Sequence, residues 1–494
     1  MRNSKLNIRT ILYSHEFLIF IAYFTFATII AHPLLSDPDV GWHLKAGEYI
    51  LSHHEIPFYD PWSFTSQQRW YNISWLWDVI CDLLYKKFDL NGLAIINHLL
   101  YAGTLAFAYS ALLAPLKARQ EAKLFALIVA GYCFWEAMYL RPHILTFFLT
   151  ILCLYCVKNS AQDKGIKLIW QFPLMILFWV NMHGGFIIGF TIVGAFALQE
   201  LVNKNYYYSR NLVIAGMTGA IVTLFNPIGI YIFPGILRTL HSIITSSIAE
   251  WQPFTFGSTY GYTLFVMILI TITNIKNTHI SKAEKLLFYF WLFSGLISTR
   301  SMIIAVIVGM PMMTQWISDL MAGYKPMTRM PTIYRVLLVI LCIVSLTEYR
   351  IYVQNILRIT PSDSVPQEEI LFIKENYRGL NFYNDYNSGG YLVFYAGDAI
   401  KLFIDGRAGT AYPEEVLRHV IDFNNANPDW TKAFELYKID GVLLPKRTLA
   451  RFDVALYFKD WKVAHVGKSY SVLVRPEFFR GGKNENKETN YSFD

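Results

Sequence analysis

Residues 17–43 read FLIFIAYFTFATIIAHPLLSDPDVGWH, a run without Asp, Glu, Lys or Arg as far as Leu35, then two aspartates separated by one proline. A bilayer core takes about 17–25 apolar residues per helix, so residues 17–35 are long enough to cross. The twelve residues that open the chain hold Arg2, Lys5 and Arg9 and no acid, and no small-residue cleavage site follows the span. The expectation is a retained anchor whose amino end is cytoplasmic.

The same pattern recurs outward from this stretch. Apolar runs lie at 92–114, 122–139, 143–158, 185–202, 211–226, 259–275, 284–298, 301–318 and 332–348, and a shorter one at 168–181 makes eleven spans. Of 494 residues 54% are hydrophobic and only 16% charged, against about 25% charged in a soluble domain. That excludes a disordered chain, a disulfide scaffold and a simple soluble enzyme. The five cysteines lie mostly inside apolar runs without metal-site spacing and read as small buried hydrophobes.

Threading eleven spans from a cytoplasmic start makes a pattern that charge can check. The even connections carry Lys117, Arg119 and Lys123; Lys158, Lys164 and Lys167; Lys204 and Arg210; Lys276, Lys282 and Lys285; Lys325, Arg329 and Arg335. The odd connections fall outside, and the long one at 36–91 is rich in Asp37, Asp39, Glu48, Glu55, Asp60, Asp78, Asp82 and Asp89. Basic residues favour the cytoplasmic side, so bias and count agree. For this count 227–243 is re-entrant or interfacial. The expected organisation is an all-α polytopic membrane domain over 1–349 containing the outer loop 36–91. An extracytoplasmic α/β domain over 350–480 and a frayed tail at 481–494 follow. Strand-like runs at Lys401–Ile404 and Gly441–Leu444, with helical stretches at Gln367–Asn376 and Glu414–Phe423, support the α/β assignment.

Polar side chains at membrane depth are costly and point to function. Six clusters fall on the outer side of this topology: residues 36–43, Arg141-Pro142-His143, Asn181 to Gly185, Asn226-Pro227, Glu250-Trp251 and Arg300. Asp37 and Asp39 have a plain reading, as caps on a helix starting near Trp42. Their functional reading is a general base at the mouth of a membrane cavity, accepting a proton from a sugar hydroxyl. One of them could also hold magnesium or manganese, although the chemistry needs no cofactor. Arg141 and Arg300 either snorkel at helix ends or grip a lipid phosphate with their planar guanidinium. His143 and His183 are either satisfied interfacial histidines or donors to that phosphate. Trp42, Trp62, Trp70, Trp75 and Trp77 read as an interfacial belt.

The run Asp37–His43, followed by Ile56-Pro57-Phe58-Tyr59-Asp60-Pro61-Trp62-Ser63-Phe64-Thr65, resembles bacterial GT-C glycosyltransferase-like membrane proteins. The likeness continues through Arg141-Pro142-His143, Asn181 with His183-Gly184-Gly185, Asn226-Pro227 with Gly229, Glu250-Trp251 and Arg300. It reappears at Asn384-Asp385, Gly389-Gly390-Tyr391-Leu392 and Asp405-Gly406-Arg407. The resemblance implies a GT-C-like helical membrane fold in a bacterial inner membrane and a sugar donor on a polyprenyl phosphate or diphosphate. It implies an unidentified glycan, lipid or protein acceptor outside the cytoplasm, and no nucleic-acid partner. Asp37 and Asp39 match its acidic motif, so the expected catalytic residues are Asp37 and Asp39. The expected substrate-binding residues are His43, Arg141, His143, His183, Glu250 and Arg300. Competing expectations are a transporter or lipid flippase, with charges near the midplane and inverted repeats, and a non-catalytic scaffold of cell-envelope glycan assembly. In the tail, Gly389-Gly390-Tyr391 reads as a turn entering a helix, and Asp405 with Arg407 as a structural ion pair or an acceptor-binding surface.

Overall fold

The computed structural model describes residues 14–30, 37–244, 248, 251–253, 259–274, 280–324 and 365–480. Glu250, the run 332–348 and the end at 481–494 lie outside them. In chain order the main helices are α1 (His15–Ile30), α2 (Asp39–His53), α3 (Trp75–Ala108), α4 (Gln120–Glu136), α5 (His143–Asn159) and α6 (Leu168–Met182). Then come α7 (Ile187–Val202), α8 (Tyr206–Val222), α9 (Ile232–His241), α10 (Thr259–Asn274), α11 (Lys282–Ile297) and α12 (Met302–Leu320). The chain divides into two compact units. One gathers the described residues of Met1–His32, Leu90–Ile230 and Ile248–Arg358, the other those of Pro33–Asp89, Tyr231–Ser247 and Ile359–Asp494.

The first unit is helical and apolar. Four of the described helical stretches are long and apolar enough to cross a membrane: Trp75–Leu113, His143–Asp163, Gly184–Val202 and Thr299–Leu320. Shorter apolar helices cover His15–Ala27, Leu168–Met182 and Gly261–Ile272. The protein is therefore a membrane protein. Every residue of α12 from Met302 to Thr314 is buried, as expected of a helix that is hydrophobic all round. It packs against α4 and α11, while α8 lies against α6 and α7.

The connections of this unit sort into two groups. Arg119 donates to the carbonyls of Met321 and Tyr324 at 2.5 and 2.6 Å. Lys158 pairs with Glu284 at 2.8 Å, and Asn211 donates to the Lys164 carbonyl. These residues all come from connections expected on the cytoplasmic side, or from the helix ends beside them. Asn181 donates to the Phe225 carbonyl, and Thr299 to that of Gln252; these come from the connections expected outside. The described contacts join even to even and odd to odd.

Helix α3 departs from expectation. It starts at Trp75, well before the span expected at 92, and its backbone breaks at Asp89 (φ 57°, ψ −168°), where one unit gives way to the other. Asp78, Asp82 and Lys86 recur at four-residue spacing, which stacks them on one face of a helix. Their charge density made the stretch look like loop.

The second unit is built on a five-stranded sheet with order β2-β1-β3-β5-β4. Its strands are β1 (Asn381–Asn384), β2 (Lys401–Leu402), β3 (Gly441–Pro445), β4 (Lys462–Val466) and β5 (Tyr470–Val474). β1 runs parallel to β2 and β3, and β5 is antiparallel to β3 and β4. The helices α13 (Gln367–Asn376), α14 (Gly389–Ala396), α15 (Ala408–Ala411) and α16 (Glu414–Asn424) accompany it. β3 and β5 are buried throughout, which is why they read as continuous apolar runs. The outer edge of β2 is covered by the 36–91 segment: Leu402 N–H donates to Trp62 and Phe64 N–H to Leu402. Residues 37–89 thus group with the tail, whereas the sequence had attached them to the membrane domain. The reason is pairing: a sheet edge carries unpaired backbone groups that another strand satisfies.

Candidate functional site

The acidic motif sits where three motif stretches of the second unit meet. Asp37 is 2% exposed, and its Oδ1 accepts the Asp39 N–H at 3.1 Å. Pro38, with φ −63°, leads the chain into α2, and Asp39 is the first residue of that helix. Carboxylates are favoured at this positive helix end. Asp39 remains partly exposed. Its carboxylate lies against Gly406: a Cβ there would overlap Oδ1 and stand 2.8 Å from Cγ. Beside it, Gly41 of α2 and Gly390 of α14 cross backbone to backbone. A Cβ on Gly390 would overlap the Pro38 carbonyl, and one on Gly41 the Gly390 carbonyl. Burial pushes the Tyr391 hydroxyl well above the ordinary tyrosine value, with the Asp37 charge adding to the effect. The phenol is therefore held protonated near the acids.

Behind the motif lies a buried ion cluster. Arg407 donates to both oxygens of Asp60 at 2.8 and 2.9 Å and to Asp405 at 2.6–3.0 Å, with all three side chains inaccessible. Its guanidinium lies 4.9 Å from the Trp62 ring centroid, 4.7 Å from Trp70 and 5.7 Å from Tyr412. Burial works against the arginine charge, but Asp405 and Asp60 outweigh it and hold the group well above its ordinary value. Asp60 also accepts the Trp62 N–H and the Ser63 hydroxyl. The ion pair read from the tail is present, with Asp60 as a third member that sequence reasoning missed. Trp62 and Trp70 are 4% and 1% exposed. They pack around an arginine in the unit's core and do not form an interfacial belt, because a desolvated guanidinium gains from aromatic faces. Residues 389–396 form α14, so the turn entering a helix is also present.

His43 is 4% exposed, stacks on Trp42 at 3.7 Å between centroids, and donates from Nδ1 to Asp78 at 2.5 Å. Asn72 donates to the other Asp78 oxygen at 2.8 Å. The partner that His43 shows is a buried carboxylate of its own unit.

In the first unit, Arg141-Pro142-His143 opens α5. The Arg141 guanidinium lies 5.7 Å from the Tyr139 ring centroid. His143 Nε2 donates to the Ala137 carbonyl at 2.7 Å, and the Tyr101 hydroxyl donates to the same oxygen. His183 caps the turn after α6. Its Nδ1 accepts the Gly185 N–H at 3.2 Å and faces Thr146 Oγ1 at 2.7 Å; Thr146 in turn accepts the Trp179 indole N–H at 2.9 Å. An accepting Nδ1 leaves the ring proton on Nε2. Thr146 thus links α5 to the His183 turn. Arg300 lies 5.3 Å from the Trp251 ring centroid. Asn226 folds its own turn, donating to Thr223 and Gly229 and accepting from Ile228.

Among the described residues no group of three or more His, Cys, Asp or Glu side chains is arranged to hold a metal ion. Cys81, Cys133, Cys153 and Cys156 are free, the first three buried.

No family model matches the chain, and no curated protein matches its sequence. Solved structures do. ArnT from Cupriavidus metallidurans bound to undecaprenyl phosphate is similar at a TM-score of 0.51 and 12% identity, over 94% of this chain and 97% of that one. The apo Archaeoglobus fulgidus oligosaccharyltransferase reaches 0.57 at 12% identity, over 90% of this chain and 72% of that one. The same transferase tethered to an acceptor peptide containing the NVT sequon gives 0.52 at 11% identity, over the same shares. At such identities the likeness is one of fold: the chain has a GT-C-like fold, mostly helical with a small sheet.

Proposed function

We propose that the protein is a membrane glycosyltransferase, moving a sugar from a polyprenyl-phosphate-linked donor to an acceptor hydroxyl outside the cytoplasm. The finer topology belongs to this reading: eleven spans in a bacterial inner membrane, a cytoplasmic amino end, and residues 350–480 as an extracytoplasmic α/β domain. The observation that carries it is Asp39, a partly exposed acidic residue at the first turn of α2 in an acidic motif on a GT-C-like fold. That one similar structure was solved with undecaprenyl phosphate supports the class of donor.

Asp39 is assigned as the base. Asp37 is buried and spends an oxygen on the Asp39 N–H, so it acts as the residue that positions the base. Asp39 takes the proton of the acceptor hydroxyl, the oxygen attacks the anomeric carbon, and the bond from that carbon to the phosphate oxygen breaks. One in-line displacement inverts the configuration. The polyprenyl phosphate departs as an anion, so no separate acid is needed, unlike hydrolysis with two carboxylates. Arg141 and Arg300 are assigned to the donor phosphate, where stabilising developing charge contributes most. His183, whose Nε2 carries the ring proton, and His143 are assigned to orient it. Glu250 keeps the substrate role implied by the resemblance, His43 is given none, and no step passes through a metal ion.

The test uses membranes holding the full chain and radiolabelled lipid-linked sugars. Asp39→Asn is expected to fold and to lose transfer by about 10²–10⁴-fold, the usual share of a general base. Near-normal transfer by that variant rejects the assignment. Solute uptake without covalent transfer points to a transporter.

A further inference from the structure

The sequence distances in the second unit pose a question: why should a tail turn at Asp405-Gly406-Arg407 lie beside an acid almost at the opposite end of the chain? Gly406 answers part of it. Its φ is not in the left-handed region, so the backbone conformation does not demand glycine. The atoms that a Cβ on it would meet are those of the Asp39 carboxylate: Oδ1, Cγ and, at 3.3 Å, Oδ2. Space for that carboxylate is the requirement.

The turn itself has little freedom to yield. Arg407 is bonded to Asp405 and Asp60 and ringed by three aromatic side chains. Asp405 Oδ1 also accepts the Arg407 N–H at 3.0 Å, closing the turn over Gly406. Upstream, the Asn384 amide donates to the Ile404 carbonyl at 2.7 Å and accepts the Phe403 N–H at 2.9 Å. The Tyr386 hydroxyl donates to the Gly406 carbonyl at 3.3 Å. Both flanks of Gly406 are therefore pinned by groups that cannot relax without exposing a buried charge.

We propose that the Asp405-Gly406-Arg407 turn is a positioning device for the base: Gly406 is the seat of the Asp39 carboxylate, and Arg407 fixes that seat. The proposal rests on the reading of Asp39 as the base. In its favour, displacement of a reacting group by about 1 Å costs on the order of 10²-fold in rate. The turn touches no substrate, so Gly406 and Arg407 are positioning residues.

Two measurements on the full-length protein test it. The first needs no substrate: thermal unfolding in detergent of wild type, Gly406→Ala, Asp39→Ala and the double variant. Gly406→Ala is expected to lower the unfolding temperature, or to prevent folding, and Asp39→Ala to restore it in the double variant. Additive effects, with no restoration, overturn the seat whatever the enzyme does. The second follows transfer from lipid-linked sugars labelled metabolically in the expressing cells. Gly406→Ala is expected to lower kcat on the order of 100-fold with KM for the donor unchanged. A loss that falls on KM, or an unchanged kcat, overturns the positioning role. If the unfolding temperatures couple but Asp39→Asn transfers normally, the base assignment has failed, and the positioning role falls with it while the contact stands.

Discussion

Asp385 follows β1 on the way into α14, and its Oδ1 is buried with no hydrogen-bond partner among the described residues. Burial raises its carboxyl above the ordinary aspartate value, and hydrogen bonds at Ser388 and Asn387 only partly offset that. The folded state therefore favours the neutral form more than the unfolded chain does. Stability from this group is complete below the unfolded value of about 3.9 and is lost as pH rises through the higher folded value. Asp385→Asn should remove that part of the slope and leave the protein more stable at neutral pH. Thermal unfolding from pH 4 to 8 checks it; equal slopes for wild type and variant would reject the account. Arg407 makes the contrasting case at the same scale. A buried charge without partners would cost several kcal/mol, and it survives because Asp60, Asp405 and the Tyr412 hydroxyl accept from its Nε, Nη1 and Nη2.

At the scale of elements, the crossing of α2 and α14 explains why the motif carries Val40-Gly41 before Trp42. Helix axes in ordinary contact stay about 8–10 Å apart; here the peptide groups of Pro38 and Gly390 touch because neither glycine has a side chain. In an isolated helix Gly→Ala stabilises by about 0.5–1 kcal/mol. Gly41→Ala should do the opposite, because the new methyl meets a carbonyl that cannot swing aside, at a cost of about 1–3 kcal/mol. A lowered unfolding temperature is the expected result; a raised one would mean that the helices part easily. The break in α3 belongs to this scale too. Two helices joined at Asp89 change unit without a long loop, which the charge pattern alone did not reveal.

For the whole molecule, the described contacts of the first unit keep the basic connections with one another, and this bears on the proposed orientation. In a cysteine-free background, a cysteine at Gln162 should escape a membrane-impermeant maleimide in intact cells, whereas one at Lys432 should react; both positions are exposed. The reverse pattern would invert the topology. Four stretches qualify as spans by length and composition, fewer than the eleven proposed. Several helices, such as α8 and α11, are only 16 or 17 residues long, at the short limit for a crossing.

Hydropathy and charge bias, read along the chain, determined that this is a polytopic membrane protein with an acidic motif beside its first span. The runs Gln367–Asn376 and Gly441–Leu444 likewise announced their helix and strand, because periodicity and β-branched composition are local signals. The tertiary structure alone decided what the tail packs against. Asp60 and Arg407 are 347 residues apart, and no local period reports a partner at that distance. Desolvation brings them together: a buried guanidinium must find carboxylates wherever the chain can supply them. That same pairing places Gly406 against Asp39, a contact legible only once the sheet has closed over the 36–91 segment.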